Sequence, residues 1–126
     1  MTTGDRKRRV LILDDSQVTL DLLRLALEQA GFDVTTAADL ASFERGAAMT
    51  PAPDIVLIDV QMPEAYGDDV ASTLRGARNV QVPILLISTL DEQELERRAA
   101  EAGVDGFVSK QAGADAVVRR VGEMLS

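Results

Sequence analysis

The sequence contains VLIL at residues 10–13, IVLI at residues 55–58 and ILLI at residues 84–87. Each run is short and lacks the alternation of apolar and polar residues that marks a strand with one wet face. Continuous apolar runs of this kind are typical of strands buried on both faces in a parallel sheet. Weaker runs at residues 33–36 and Gly106–Ser109 predict two edge-like strands. The five runs therefore predict a five-stranded sheet covered by helices.

Helical patterns with start and stop residues lie between these runs. Ser16, Asp39 and Asp91 are suited to cap helix N-termini, and Gly31 and Gly103 are suited to end two of the helices. The predicted buried positions are Val18, Leu22, Leu25 and Ala26 in the first helix, Leu40, Phe43 and Ala47 in the second, Val70 and Leu74 in the third, Leu95, Ala99 and Ala102 in the fourth, and Val117, Val118, Val121 and Leu125 in the fifth.

Strand and helix alternate five times along the chain. This alternation implies right-handed crossovers and a doubly wound (βα)5 fold of the α/β class. The leading topology is the flavodoxin-like one, a parallel five-stranded sheet in the order 2-1-3-4-5, in which ligands bind outside the carboxyl ends of the strands. We expect residues 9–126 to form this single domain and residues 1–8 to form a basic N-terminal arm.

The composition narrows the possible chemistry. The 126 residues include neither Cys nor His, which excludes thiolate and imidazole sites and leaves oxygen ligands and nucleophiles. Thirteen basic and 21 acidic side chains give a net charge of −8, which disfavours direct DNA binding by this domain. No apolar stretch approaches the roughly 20 residues needed to span a membrane. We expect a soluble, cytoplasmic protein with no membrane contact.

Polar residues follow each of the three apolar runs. Asp14 and Asp15 follow the first, Asp59 the second and Ser88 the third. Because the carboxyl ends of neighbouring parallel strands meet at one edge, we expect these side chains to lie close together. Packed carboxylates repel each other unless a cation compensates them, and an all-oxygen ligand set suits Mg²⁺ or Mn²⁺. Lys110, after the fifth strand, is placed to reach a phosphoryl oxygen, so the pattern predicts a metal site for phosphoryl chemistry.

The sequence resembles the receiver domains of two-component response regulators, in particular single-domain, chemotaxis-regulator-like members. The resemblance covers the chain from residue 9 to about residue 125, and the order and spacing of its motifs agree with the family. The matching motifs are the Asp14-Asp15 pair, residues 58–67 (IDVQMPEAYG) with Asp59, residues 88–90 (STL) with Ser88, and residues 106–110 (GFVSK) with Lys110.

The resemblance implies a role for each of these residues. Asp59 would accept a phosphoryl group from a phosphohistidine of a bacterial sensor histidine kinase or phosphotransfer protein. Ser88 and Lys110 would contact the phosphoryl group, and Phe107 would be the switch aromatic that swings inward when Ser88 moves. The ligands of Mg²⁺ or Mn²⁺ would be Asp14, Asp15, Asp59 and the backbone carbonyl of Gln61.

The resemblance also implies how the protein signals. Such a module catalyses its own phosphorylation and dephosphorylation, and is not an enzyme for a free substrate. Its output would be a changed surface on the fourth helix, fifth strand and fifth helix, read by a downstream protein partner, in a monomer or a phosphorylation-linked dimer. Three residues depart from the usual pattern: Gln111 replaces proline, Thr89 replaces a smaller residue and Phe107 replaces the frequent tyrosine.

Two other classes of function remain alternatives. One is a receiver-like protein-interaction scaffold that no longer switches by phosphorylation, which the complete set of site residues disfavours. The other is an enzyme acting on a free phosphorylated substrate. The chain has neither the D-x-D arrangement usual in aspartyl-phosphate hydrolases nor an inserted cap segment. A flavin-binding flavodoxin is also disfavoured, because the turn after the first strand is acidic where a phosphate-binding loop is needed.

Overall fold

The computed structural model describes residues 7–49, 51–61, 69–71 and 81–126. Its strands pair in parallel in the order β2-β1-β3-β4-β5, which confirms the predicted doubly wound, flavodoxin-like topology. The two weaker runs of the sequence form the edge strands β2 and β5, as predicted. The strands are β1 (Arg9–Leu13), β2 (Asp33–Ala37), β3 (Ile55–Asp59), β4 (Ile84–Ser88) and β5 (Gly106–Ser109).

Helices follow the strands along the chain. They are α1 (Gln17–Gln29), α2 (Leu40–Ala47), α3, which the structure describes at residues 69–71, α4 (Glu92–Ala102) and α5 (Ala114–Leu125). A short 3₁₀ turn, Lys110–Ala112, joins β5 to α5. Leu74, predicted to be buried in the third helix, lies outside the described residues. None of the helices in the described part of the chain is long and apolar enough to cross a membrane.

The helix ends lie where the capping residues predict them. The side chains of Ser16, Asp39 and Asp91 each accept a backbone N–H bond in the first turn of α1, α2 and α4 respectively. Gly103 ends α4 with a φ of 72°, in the left-handed region that favours glycine. The loops that join β1 to α1, β2 to α2 and β4 to α4 at the carboxyl edge of the sheet are each two or three residues long.

The sheet has an apolar layer on each face. Leu11 and Leu13 of β1 pack into a cluster with α2 and α4, whereas Val10 and Ile12 pack into a second cluster with α1 and α5. This division follows from the alternation of side chains along a strand. The strands β3 and β4 are buried at every position. Both faces are covered, which explains why the three apolar runs contain no polar alternation.

The buried face of α1 differs from the predicted one. The buried residues are Leu20, Leu23 and Leu27. Val18, Leu22 and Leu25 are instead 70%, 57% and 57% exposed, and Ala26 is only partly buried, so the prediction that these four residues form the buried face is wrong. The helix carries apolar residues at helical spacing on two faces, and periodicity alone cannot choose between them. Contact with the sheet and α5 selects the leucine face.

Arg8, in the predicted basic arm, contacts the folded domain. Its carbonyl accepts the N–H of Asp33 at 2.9 Å, and its guanidinium Nη2 donates to the carbonyl of Leu125 at 3.1 Å. The second bond places a positive charge at the C-terminal end of α5, where the helix dipole is negative. Residues 1–6 of the predicted arm lie outside the described residues.

Candidate functional site

The predicted site residues lie together at the carboxyl edge of the sheet. Asp14 directly follows β1, while Asp59 and Ser88 are the last residues of β3 and β4. In the parallel register of these two strands, Asp59 lies opposite Ile87. Among the described residues, Asp14, Asp59 and Ser88 are the only buried polar or charged side chains. Because burying a carboxylate is costly, their position makes this edge the candidate functional site.

Three carboxylates converge at this edge. One oxygen from each of Asp14, Asp15 and Asp59 lies within 4.8 Å of the other two, and the exposed Asp15 opens the cluster to solvent. Asp14 is fully buried and Asp59 nearly so, which concentrates negative charge at this edge. A hard divalent cation such as Mg²⁺ prefers an all-oxygen ligand set of this kind. The residues present therefore fit the predicted metal.

Lys110 brings a positive charge into the cluster. Its Nζ lies 2.6 Å from Oδ2 of Asp14, as an ion pair, and 3.5 Å from Oδ1 of Asp59. The lysine comes from the 3₁₀ turn after β5, in which the Oγ of Ser109 accepts the N–H of Gln111 at 3.1 Å. Lys110 therefore neutralises Asp14 directly and is within reach of a group bound at Asp59.

The surroundings of Asp59 shift its pKa. The pKa of Asp59 is raised from 3.8 to about 6, chiefly by burial of the carboxylate and secondly by the nearby charge of Asp14. The ammonium of Lys110 and the backbone N–H of Gln61, which donates to Oδ1 at 3.2 Å, act in the opposite direction. At a pKa of about 6 the carboxylate is ionised at neutral pH, which a nucleophile requires.

Ser88 is held by a neighbour that the sequence analysis did not predict. Its Oγ donates to the side-chain Oε1 of Gln61 at 3.1 Å and accepts the N–H of Leu90 at 3.1 Å. The Oγ1 of Thr89 donates to the same Oε1 at 2.9 Å. Only the backbone carbonyl of Gln61 was assigned a role from the sequence. The contact joins residues that are 27 positions apart, and the sequence carries no local signal for it.

Phe107, the predicted switch aromatic, lies on β5 opposite Leu86 of β4. It is half-buried and packs against the apolar cluster that includes α2 and α4. A cleft of about 220 Å³ lies beside it, lined by residues of α4, β5 and α5. The ring is thus on the predicted output face, and its movement remains a prediction.

The sheet order and the acidic edge define a class of protein: a doubly wound α/β domain whose site combines a carboxylate cluster with a lysine. The family model of the response regulator receiver domain matches residues 10–122. The chain belongs to this family, and the resemblance seen in the sequence is confirmed.

Relatives and solved structures agree with this assignment. The chain is 35% identical over 116 residues to the probable transcriptional regulatory protein TcrX of Mycobacterium tuberculosis, covering 92% of this chain and 49% of that protein. It is 31% identical over 118 residues to the alkaline phosphatase synthesis transcriptional regulatory protein PhoP of Bacillus subtilis, covering 94% and 48%. The chain therefore spans about half the length of the curated relatives it matches.

Two solved structures illustrate the likeness of fold. The signal receiver domain of a response regulator from Bermanella marisrubri superposes with a TM-score of 0.81 at 27% identity, covering 96% of this chain and all of that chain. The chemotaxis protein CheY4 of Vibrio cholerae superposes with a TM-score of 0.83 at 24% identity, covering 94% and 99%. The second comparison shows the fold alone.

Proposed function

We propose that this receiver domain accepts a phosphoryl group on Asp59 from a phosphohistidine of a sensor kinase or phosphotransfer protein. The observation that carries the proposal is the position of Asp59, a 2% exposed carboxylate that lies 3.5 Å from a lysine and beside two further carboxylates. Its pKa of about 6 leaves it ionised at neutral pH.

In the proposed reaction, an oxygen of Asp59 attacks phosphorus, a P–O bond forms and the P–N bond to the donor imidazole breaks. The electron pair of the broken bond goes to the imidazole nitrogen. The N–H of Gln61 fixes the orientation of the Asp59 carboxylate through Oδ1. Lys110 neutralises charge on the phosphoryl oxygens and the Ser88 hydroxyl donates to one of them. Positioning and charge neutralisation supply the catalysis, so the module promotes its own phosphorylation and dephosphorylation.

The proposed metal ligands are Asp14, Asp15, Asp59 and the backbone carbonyl of Gln61. When bound, Mg²⁺ or Mn²⁺ would add positive charge against the phosphoryl oxygens. The ligand set is favoured by the mutual approach of the three carboxylates, whose oxygens lie within 4.8 Å of one another. We further propose that the protein acts in the cytoplasm, where Mg²⁺ and ATP-dependent kinases are present.

Acetyl phosphate labelling tests this function. With Mg²⁺, the intact mass of the wild-type protein should rise by one phosphoryl group, and chelation should abolish the rise. Asp59→Ala should not be labelled, whereas Asp21→Asn, which removes an exposed carboxylate on α1, should be labelled like the wild type. Labelling of Asp59→Ala at the wild-type rate would refute the assignment. A wild-type protein that takes no label would favour the interaction scaffold.

We propose that the phosphodonor protein docks on the exposed apolar face of α1. Val18, Leu22 and Leu25 form this face. Leu22 also lines a groove of about 90 Å³ between α1 and α5, which Lys110 lines as well. The face is therefore continuous with the site. Leu22→Ser should slow transfer from a phosphorylated histidine kinase and leave labelling by acetyl phosphate unchanged, and equal slowing of both reactions would argue against docking there.

We propose that phosphorylation is read out on the face formed by α4, β5 and α5, by a downstream partner or by self-association. Movement of Ser88 towards the phosphoryl group would vacate space into which the Phe107 ring turns, and the cleft that this ring lines between α4, β5 and α5 would then change shape. Amide exchange with and without a phosphoryl mimic should change most in residues 89–103 and 106–113. Changes confined to the loops around Asp14 and Asp59 would refute the switch role of Phe107.

A further inference from the structure

Three loops at the carboxyl edge of the sheet are joined through Thr89. Its hydroxyl donates to Oε1 of Gln61, in the loop after β3, at 2.9 Å. Its backbone carbonyl accepts from Nε2 of Gln111, in the turn after β5, at 3.2 Å. Thr89 and Gln111 are two of the positions at which the sequence departs from the usual receiver pattern. The two departures are thus linked in space, next to the residues assigned to the phosphoryl group.

The Ser88 hydroxyl both donates and accepts a hydrogen bond within this network. A serine hydroxyl has one proton to donate, and Ser88 donates it to Oε1 of Gln61 at 3.1 Å. Its Oγ accepts the N–H of Leu90, which holds the side chain from the other side. Under the proposed function the same proton is needed by an oxygen of the phosphoryl group on Asp59. The bond to Gln61 and the bond to a phosphoryl oxygen are therefore mutually exclusive.

We propose that the side chain of Gln61 is a positioning residue that holds the Ser88 hydroxyl away from Asp59 until a phosphoryl group replaces it as acceptor. This inference rests on the proposed function and deepens it by naming what the switch must release. On release, Oε1 of Gln61 keeps the hydroxyl of Thr89 as a donor, so this oxygen is not left without a hydrogen bond. Ser88 loses one neutral hydrogen bond, to Gln61, and gains one to the phosphoryl oxygen. Because the bond that is lost is weak, the switch is reversible.

Gln111 ties the loop after β4 to the turn after β5. Its Nε2 fixes the carbonyl of Thr89, and its N–H donates to the Oγ of Ser109 at 3.1 Å, a bond that proline could not make. The turn that carries Lys110 and the loop that carries Ser88 are thereby tied to each other. Because Gln111 already holds the main chain at Thr89, the bond from Ser88 to Gln61 sets only the orientation of the Ser88 hydroxyl.

Affinity for beryllofluoride in the presence of Mg²⁺ tests the release. Gln61→Met keeps the length of the side chain and the backbone carbonyl but removes the amide oxygen, so Ser88 is free to turn. The affinity should rise roughly twofold to fivefold, as expected for one weak hydrogen bond removed from the resting state. Gln29→Met, at the exposed end of α1, is the matched control and should bind like the wild type. Unchanged or weaker binding by Gln61→Met overturns the proposal.

A second measurement needs neither metal nor phosphoryl group. If Gln61 orients Ser88, then Gln61→Met should speed amide hydrogen exchange at Leu90 roughly twofold to fivefold in chelator. Gln61→Glu keeps acceptor oxygens at the same reach and should restore the wild-type rate, which a loss of packing would not. Equal exchange in the wild type and Gln61→Met overturns the proposal. A wild-type protein that binds no beryllofluoride would instead overturn the proposed function, while the exchange at Leu90 still decides the role of Gln61.

Discussion

Replacing Asp59 by asparagine should stabilise the metal-free protein at neutral pH. The pKa of Asp59 rises from 3.8 in the unfolded chain to about 6 in the folded one, chiefly because the carboxylate is buried, with the Asp14 charge adding to the effect. The folded state therefore favours the protonated acid. The contribution of Asp59 to stability is fully present below pH 3.8 and is lost as the pH rises through about 6.

The structure sets the size of the effect. The difference between 3.8 and about 6 corresponds to about 3 kcal/mol at 1.36 kcal/mol per pH unit. Solvent reaches the cluster on the side of Asp15 and screens part of this cost, so we expect Asp59→Asn to gain about 2 kcal/mol at pH 7.5. The variant leaves Lys110 with a partner, because its ammonium lies 2.6 Å from Asp14. At pH 4 the two proteins should be nearly equal.

Urea unfolding in chelator between pH 4 and pH 8 measures this difference. Taking the difference between two proteins cancels the titration of carboxylates that do not interact with Asp59. Asp21→Asn removes an exposed charge and should stay within about 0.5 kcal/mol of the wild type at every pH. If Asp59→Asn is no more stable than the wild type at pH 7.5, or if the gap does not shrink towards pH 4, burial does not raise the pKa of Asp59 and the reasoning fails.

Three further predictions concern the metal, the core and the turn after β5. Asp15→Asn should weaken Mg²⁺ binding about tenfold or more in a calorimetric titration without unfolding the protein, and unchanged affinity would exclude Asp15 as a ligand. Leu23→Ala should cost about 3 kcal/mol in urea unfolding, whereas Leu22→Ala on the exposed face should stay within about 0.5 kcal/mol; equal losses would contradict the observed face of α1. Gln111→Pro removes the N–H donated to Ser109 and the side-chain bond to Thr89, and should cost about 1 kcal/mol; an equally stable variant would show that these bonds contribute nothing.

The carboxylate cluster was predictable because its residues stand next to strands. Asp14 and Asp59 end two apolar runs, and the topology that those runs predict brings their carboxyl ends to one edge. Lys110 was predictable for the same reason, since it directly follows β5. The closer pairing of Lys110 with Asp14 than with Asp59 was not predictable, because it depends on the path of the turn that carries the lysine.

The sequence by itself determined the strands, their order and the residues at the acidic edge. These follow from local patterns, namely apolar runs, capping side chains and the position of an acid after a strand. Only the tertiary structure decided which face of α1 is buried, because Leu22 and Leu23 are equally apolar and the neighbouring elements choose between them. It also decided the bonds that Gln61 makes to Ser88 and Thr89. Hydrogen bonds between distant loops require donor and acceptor atoms to be placed to within a few tenths of an ångström, and no residue pattern encodes such positions.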